Sequence, residues 1–148
     1  MTRRVLILLL CVGPLLGMAP RGHAQAGFVL IVNRDNPVTS LPRSQVSKLF
    51  LGKVTKWPGG QAVLPIDQVA SSPTRARFSD AIHLMDTPSV KSYWQALVFS
   101  GRGEPPSERA SDDEIVAFVR ANPFAIGYVS TGASVKDVKV LGLSIEHR

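Results

Sequence analysis

The sequence predicts an α/β domain, a three-layer sandwich around a mostly parallel sheet. Three observations carry this reading. Short β-rich apolar runs alternate with amphipathic segments along the chain. The first run, Phe28 to Val32, is apolar throughout, as expected of a strand buried on both faces of a parallel sheet. Helix-start signals, either a hydroxyl residue before proline or a capping box, open segments between the runs.

Taken in order, Asn33 to Pro37 ends the first strand. Pro42 to Leu51 reads as a helix because Val46, Leu49 and Phe50 fall at i, i+3 and i+4, Pro42 suits a first turn, and Gly52 closes it. Val54 to Gly60 is turn-rich, with Trp57 as its one large anchor. Val63 to Ile66 is a second strand, and Pro65 puts it at a sheet edge or a strand end. Ser72 is a good N-cap, Pro73 fits the first helical position, and Phe78, Ile82 and Met85 share a face at i, i+4 and i+7. Thr87-Pro88 repeats that device for a helix with a stripe of Val90, Tyr93, Trp94 and Leu97, and a loop from Ser100 to Pro106 follows. Ser111-Asp112-Asp113-Glu114 is a capping box, opening a helix that buries Ile115, Phe118 and Val119 and stops at Asn122-Pro123. Ala125 to Val129 and Val138 to Leu143 close the chain as strands.

Residues 1–26 have a different character. Arg3 and Arg4 precede an apolar run from Val5 to Met18 that Gly13-Pro14 interrupts, and Ala24-Gln25-Ala26 has the A-x-A form of a signal-peptidase site. A run of fourteen residues with a Gly-Pro break in it falls short of the roughly 20 apolar residues that a span needs. A cleaved secretory signal over 1–26 is therefore expected, with cleavage after Ala26 or, as second choice, Ala24, and one domain over 27–148. Cys11 follows three leucines instead of the small residue of a lipobox, and ordinary secretion to the periplasm is expected.

Cleavage would remove Arg3, Arg4 and Arg21, leaving 122 residues with fourteen basic side chains, eleven acidic ones and no cysteine. A cysteine-free chain suits an oxidising compartment and excludes disulfide scaffolds, thiolate metal sites and cysteine nucleophiles. The basic residues are scattered, with no cluster beyond Arg75-x-Arg77, so nucleic acid is not an expected partner, nor is a membrane after cleavage. An enzyme is not expected either. His83 lies in the Phe78 helix, His147 lies near the terminus, and neither has a nucleophile-elbow setting or metal-ligand spacing. No cofactor or metal is implied. Trp57, Tyr93 and Trp94 read as core instead of a sugar-binding surface, since Tyr93 and Trp94 share the stripe of Leu97.

The stretch Leu64 to Phe78, LPIDQVASSPTRARF, runs a strand through a small-residue loop into a helix start. Free amides there point outward, the helix dipole favours negative charge, Ser71, Ser72 and Thr74 add hydroxyls, and Arg75 can grip an oxyanion with two nitrogens. The same residues also fit an ordinary capped helix with a solvated arginine.

The order VNRDNPV, LPRSQVSKLFLGKVTKWPGG, VLPIDQVASSPTRARF, YWQALVFSGRG and IVAFVRANPFAIGYVS resembles the phosphate ABC transporter substrate-binding protein family, of periplasmic binding protein type. The resemblance runs from about Phe28 to Ser130. Its most specific parts are Leu49-Phe50-Leu51-Gly52-Lys53 with Trp57, and Asn122-Pro123 followed by Ala125 to Val129. It implies a single lobe of the type 2 periplasmic binding protein-like fold, where family members have two, and inorganic phosphate or a similar oxyanion as ligand. The family's Ser-Gly-Thr falls on Ser72, Pro73 and Thr74, with Pro73 in place of the glycine, which removes one amide hydrogen. An ABC permease, a second copy or another periplasmic protein is the partner implied. The alternative is an accessory module that keeps the lobe and has lost its ligand.

Overall fold

The computed structural model describes residues 27–144 and 146, so the leader expected over 1–26, with Cys11, and also His147 lie outside the described residues. The described chain runs β1 (Phe28–Asn33), β2 (Ser40–Pro42), α1 (Arg43–Phe50), β3 (Leu64–Gln68), α2 (Pro73–Phe78), α3 (Thr87–Phe99), β4 (Ser107–Arg109), α4 (Asp112–Ala121), β5 (Ala125–Ser130) and β6 (Val138–Ser144). A π-helical turn, Ser79–His83, continues α2 directly.

The strands form one sheet in the order β2-β6-β1-β5-β3-β4. β2 pairs parallel to β6, and β3 pairs parallel to both β5 and β4. β1 is antiparallel to both of its neighbours, so five strands point one way and β1 alone points the other. This corrects the parallel pairing expected of Phe28 to Val32. A continuous apolar run reports burial on both faces, and that burial follows from an inner position between two helical layers whatever the strand direction.

Alternation along β1 supplies the two cores. Phe28, Leu30 and Val32 meet Val46, Leu49 and Phe50 of α1, Phe78 of α2 and Ile82, together with Ile126, Tyr128 and Leu141 of neighbouring strands. Ile31 faces the opposite layer, where Ile66 and Val129 pack on Ile115, Val116 and Val119 of α4. The first core is aromatic at its centre: Phe78 stacks on Tyr128 with centroids 3.8 Å apart, and Phe28 and Phe50 meet Phe78 edge-on. Each side chain buried this completely contributes about 1.5–3 kcal/mol. Gly127 lets α4 lie close to β5, since a Cβ there would come within 2.9 Å of both Ile115 and Ile66.

A third cluster of Leu51, Val90 and Trp94 joins α3 to the end of α1. Gly52 closes α1 at φ +66°, and a Cβ there would lie 2.9 Å from the Trp94 ring. Several local expectations shift. Leu84 takes a left-handed φ of 56° and ends the π turn, so Met85 leaves the Phe78 face and packs on the α3 cluster instead. Asp86, not Thr87, caps α3 by accepting from the Ser89 amide. Val116 takes the buried place expected of Phe118, which is half-buried beneath the Arg109 guanidinium. Pro65 does sit at a strand end, paired with β5 just before the β4 pairing begins at Ile66. The three-residue edge strands β2 and β4 leave no alternating pattern for the sequence to display.

Candidate functional site

The C-terminal ends of β3, β4 and β5 lead towards the starts of α2 and α4, which brings strand ends and two helix N-termini to one edge of the sheet. Gln68, the last residue of β3, ties the two starts together. Its Oε1 accepts from Ser72 Oγ at 2.5 Å, while its Nε2 donates to Asp112 Oδ1 at 3.0 Å and to the Tyr128 carbonyl at 3.1 Å.

Ser72 caps α2. Its Oγ accepts from the Thr74 and Arg75 amides at 3.2 and 3.3 Å, both longer than the usual distance of about 2.9–3.0 Å. Ser71 is exposed in the preceding loop, whereas Thr74 is buried. Pro73 holds the first helical position without an N–H. The first turn contains no acidic residue.

Arg75 is placed differently from the expected clamp. It points inward with 6 % of its surface exposed. Nη1 donates to the Gln68 carbonyl at 2.6 Å and to Glu108 Oε1, and Nη2 lies 3.3 Å from Asp67 Oδ2. Asp67 in turn accepts from the Tyr128 hydroxyl. Both terminal nitrogens are therefore engaged with the protein's own carboxylates, and only Nε has no partner among the described residues. Burial pushes the Asp67 carboxyl above its ordinary value, against the pull of Arg75. Burial also opposes the Arg75 charge, but Asp67 and Glu108 outweigh it and hold the guanidinium above its ordinary value. Tyr128 is held well above the usual phenol range by burial and by Asp67.

The start of α4 contrasts with that of α2. Ser111 and Glu114 form the capping box expected from the sequence. Asp112 Oδ1 also accepts from the Ser130 amide at 3.1 Å, and its Oδ2 accepts from Ser130 Oγ at 2.5 Å. Three acids, Asp112, Asp113 and Glu114, lie in this first turn, so the chain itself places negative charge at the positive end of the helix.

Sequence reasoning located Ser72, Thr74 and Arg75 but missed Asp67, Gln68, Glu108, Asp112 and Tyr128 as their partners. Asp67-Gln68 did offer a signal, two polar residues closing an apolar strand just before a helix start. His83, read as a helix residue without a catalytic setting, receives or gives a hydrogen bond at Nδ1 with Ser47 Oγ, 2.9 Å away, and meets the Phe78 ring edge-on. Burial, with the charges of Arg75, Arg43 and Lys53, pushes its pKa down to about 4. Trp57 is buried, with Nε1 donating to the Phe124 carbonyl, and Trp94 is buried against Leu51. Among the described residues no helix is long and apolar enough to cross a membrane.

The model of a PBP superfamily domain matches residues 20–144. Among solved structures, an ABC-type phosphate transport receptor from Vibrio cholerae is 27% identical, with a TM-score of 0.61, over 78% of this chain and 45% of its own. A putative phosphate ABC transporter substrate-binding protein with bound phosphate from Clostridium perfringens is 21% identical, with a TM-score of 0.63, over 80% of this chain and 46% of its own. PstS from Borrelia burgdorferi shares the fold at 14% identity and a TM-score of 0.64, over 82% of this chain and 49% of its own. The chain thus spans about half the length of the solved structures it matches.

Proposed function

The chain belongs to the PBP superfamily domain family, and from that premise we propose that it is a secreted, non-enzymatic binding protein of the periplasm that recognises phosphate or a similar oxyanion. The ion would sit at the start of α2, contacted by Ser71, Ser72 and Thr74 and by the Arg75 backbone amide. The observation that carries this reading is the acid-free first turn of α2 at the end of β3, where dipole and amides favour an anion. An incoming oxyanion oxygen would accept from the Ser72 hydroxyl in place of Gln68 and share the Thr74 and Arg75 amides, whose bonds to Ser72 Oγ are long. The Arg75 side chain has a positioning role here. It fixes the first turn against Gln68, Asp67 and Glu108.

A single lobe leaves one side of the bound ion in water, where the same contacts are worth far less than in a closed site. Weak binding is expected until a permease, a second copy or another periplasmic protein covers that side. Calorimetric titration of the protein with phosphate and sulfate tests the reading. Saturable heat that Ser72→Ala abolishes supports it. No heat at millimolar anion from a folded protein overturns it and leaves the accessory module, which a co-purifying periplasmic partner would then identify.

A further inference from the structure

We propose that the groove along α3 binds a small amphiphilic anion, a hydrocarbon chain or ring carrying one carboxylate or phosphonate head. The groove encloses about 520 Å³, a size typical of small-molecule sites. Its α3 wall is divided along the helix. Thr87 and Lys91, one turn apart, form the polar end, Gln95 follows one turn after Lys91, and Trp94, Val98 and Phe99 supply the apolar surface towards the other end. Phe99 is 96 % exposed and Val98 52 %, so the apolar end presents hydrocarbon directly to water. Trp94 lies beneath it.

A second observation points to a polar head. Arg75 and Thr87 both line the groove, and each carries a buried polar atom, Nε and Oγ1 respectively, with no hydrogen-bond partner among the described residues. Buried unpaired groups of this kind are costly and rare in native structures. Thr87 stands one turn from Lys91, so an anionic head at this end would meet the Thr87 hydroxyl, once that side chain rotates outward, together with the opposite charge of Lys91. Glu108 also lines the groove, and its carboxylate, bonded to Arg75 Nη1, repels a negative head and favours placing it at the Lys91 end. A neutral hydrocarbon would leave Lys91 and the Thr87 hydroxyl unused. Inorganic phosphate would leave the apolar wall unused. An amphiphile with one anionic head uses both, and the inference does not depend on the oxyanion reading of the α2 start.

Octanoate is a suitable probe, followed by Trp94 fluorescence and calorimetry against acetate, octanol and inorganic phosphate as controls. Saturable octanoate binding is expected, with acetate and octanol each at least about tenfold weaker. Lys91→Ala and Phe99→Ser change exposed side chains and should each weaken octanoate by about tenfold. Octanoate binding that persists where phosphate gives no heat supports the groove and counts only against the α2 reading. The proposal is overturned if the folded protein binds no octanoate, if octanol binds equally well, or if neither groove substitution weakens the complex.

Discussion

Two helices start at the same edge of the sheet, and they treat negative charge in opposite ways. α4 opens with Asp112, Asp113 and Glu114, and Ser130 and Gln68 hold Asp112 in place. α2 opens with Ser72 and Pro73, has no acid in its first turn, and sends Arg75 inward to Asp67 and Glu108. The macrodipole of each start attracts an anion. At α4 the chain supplies that charge itself, whereas at α2 no acid lies in the first turn and the nearest ones, Asp67 and Glu108, are turned to the guanidinium. Fold position alone therefore does not make a site. The neighbouring sequence gives two starts at the same edge of the sheet a different local charge.

The largest expected effect tests whether Arg75 supports the α2 start from within. Arg75→Met leaves Asp67 buried without its cation, and loss of one partner of a buried pair costs about 3–5 kcal/mol. Glu108 is 44 % exposed and adds little to that figure. Urea denaturation measures the loss, and a double variant with Asp67→Asn should recover part of it. A cost below about 1 kcal/mol would mean that the network does not hold the first turn.

His83 gives the next largest effect, on the side of α2 away from α4. Its pKa falls from 6.5 in the unfolded chain to about 4 in the folded one, so the unfolded state binds more protons between those values. Stability is then fully present above pH 6.5 and is lost as pH falls towards 4, by up to about 3 kcal/mol. His83→Gln should flatten the pH dependence of the urea midpoint across this window. An unchanged slope would show that other groups dominate. Asp67 acts in the opposite sense, since a raised carboxyl favours the folded state on acidification, and it is common to both proteins in the comparison.

The features that the sequence made legible are those encoded by neighbours along the chain. Caps at Ser72 and Ser111, the stop at Asn122-Pro123 and the stripe of Val46, Leu49 and Phe50 rest on contacts within a few residues, and the structure bears them out. The direction of β1 depends on partners about a hundred residues away, at Tyr128 and Leu141, and no local pattern records it. The orientation of Arg75 was hidden for the same reason. An arginine in a first turn reads as solvent-facing until Glu108, 33 residues later, is brought beside it by the short strand β4. The Ser72 hydroxyl was foreseen as a cap, but its bond to Gln68 needed the β3 end and the helix start to be set face to face.

Paired cap substitutions sharpen the contrast between the two starts directly. Ser72→Ala and Ser111→Ala should each cost about 1 kcal/mol of stability, as lost N-caps do. Only Ser72→Ala should also reduce phosphate affinity, because the three carboxylates in the first turn of α4 repel an anion. Thermal denaturation and calorimetry on both variants separate the two effects. Equal affinity in both variants and wild type would remove the functional distinction between the helices.

The smallest expected effect concerns the first helical residue, which is Pro73 in α2 and Asp112 in α4. Proline gives α2 a preorganised backbone but withholds an amide hydrogen that an anion could use. Pro73→Ala should therefore lower stability by about 0.4–1 kcal/mol through the freer unfolded chain, while raising phosphate affinity several-fold through the added amide. Asp112→Ala at the corresponding position should lower stability without raising affinity, since it frees Ser130 and Gln68 as well as the helix start. If Pro73→Ala binds phosphate no better than the parent, the ion does not use the first-turn amides of α2, and the difference between the two starts is one of stability alone.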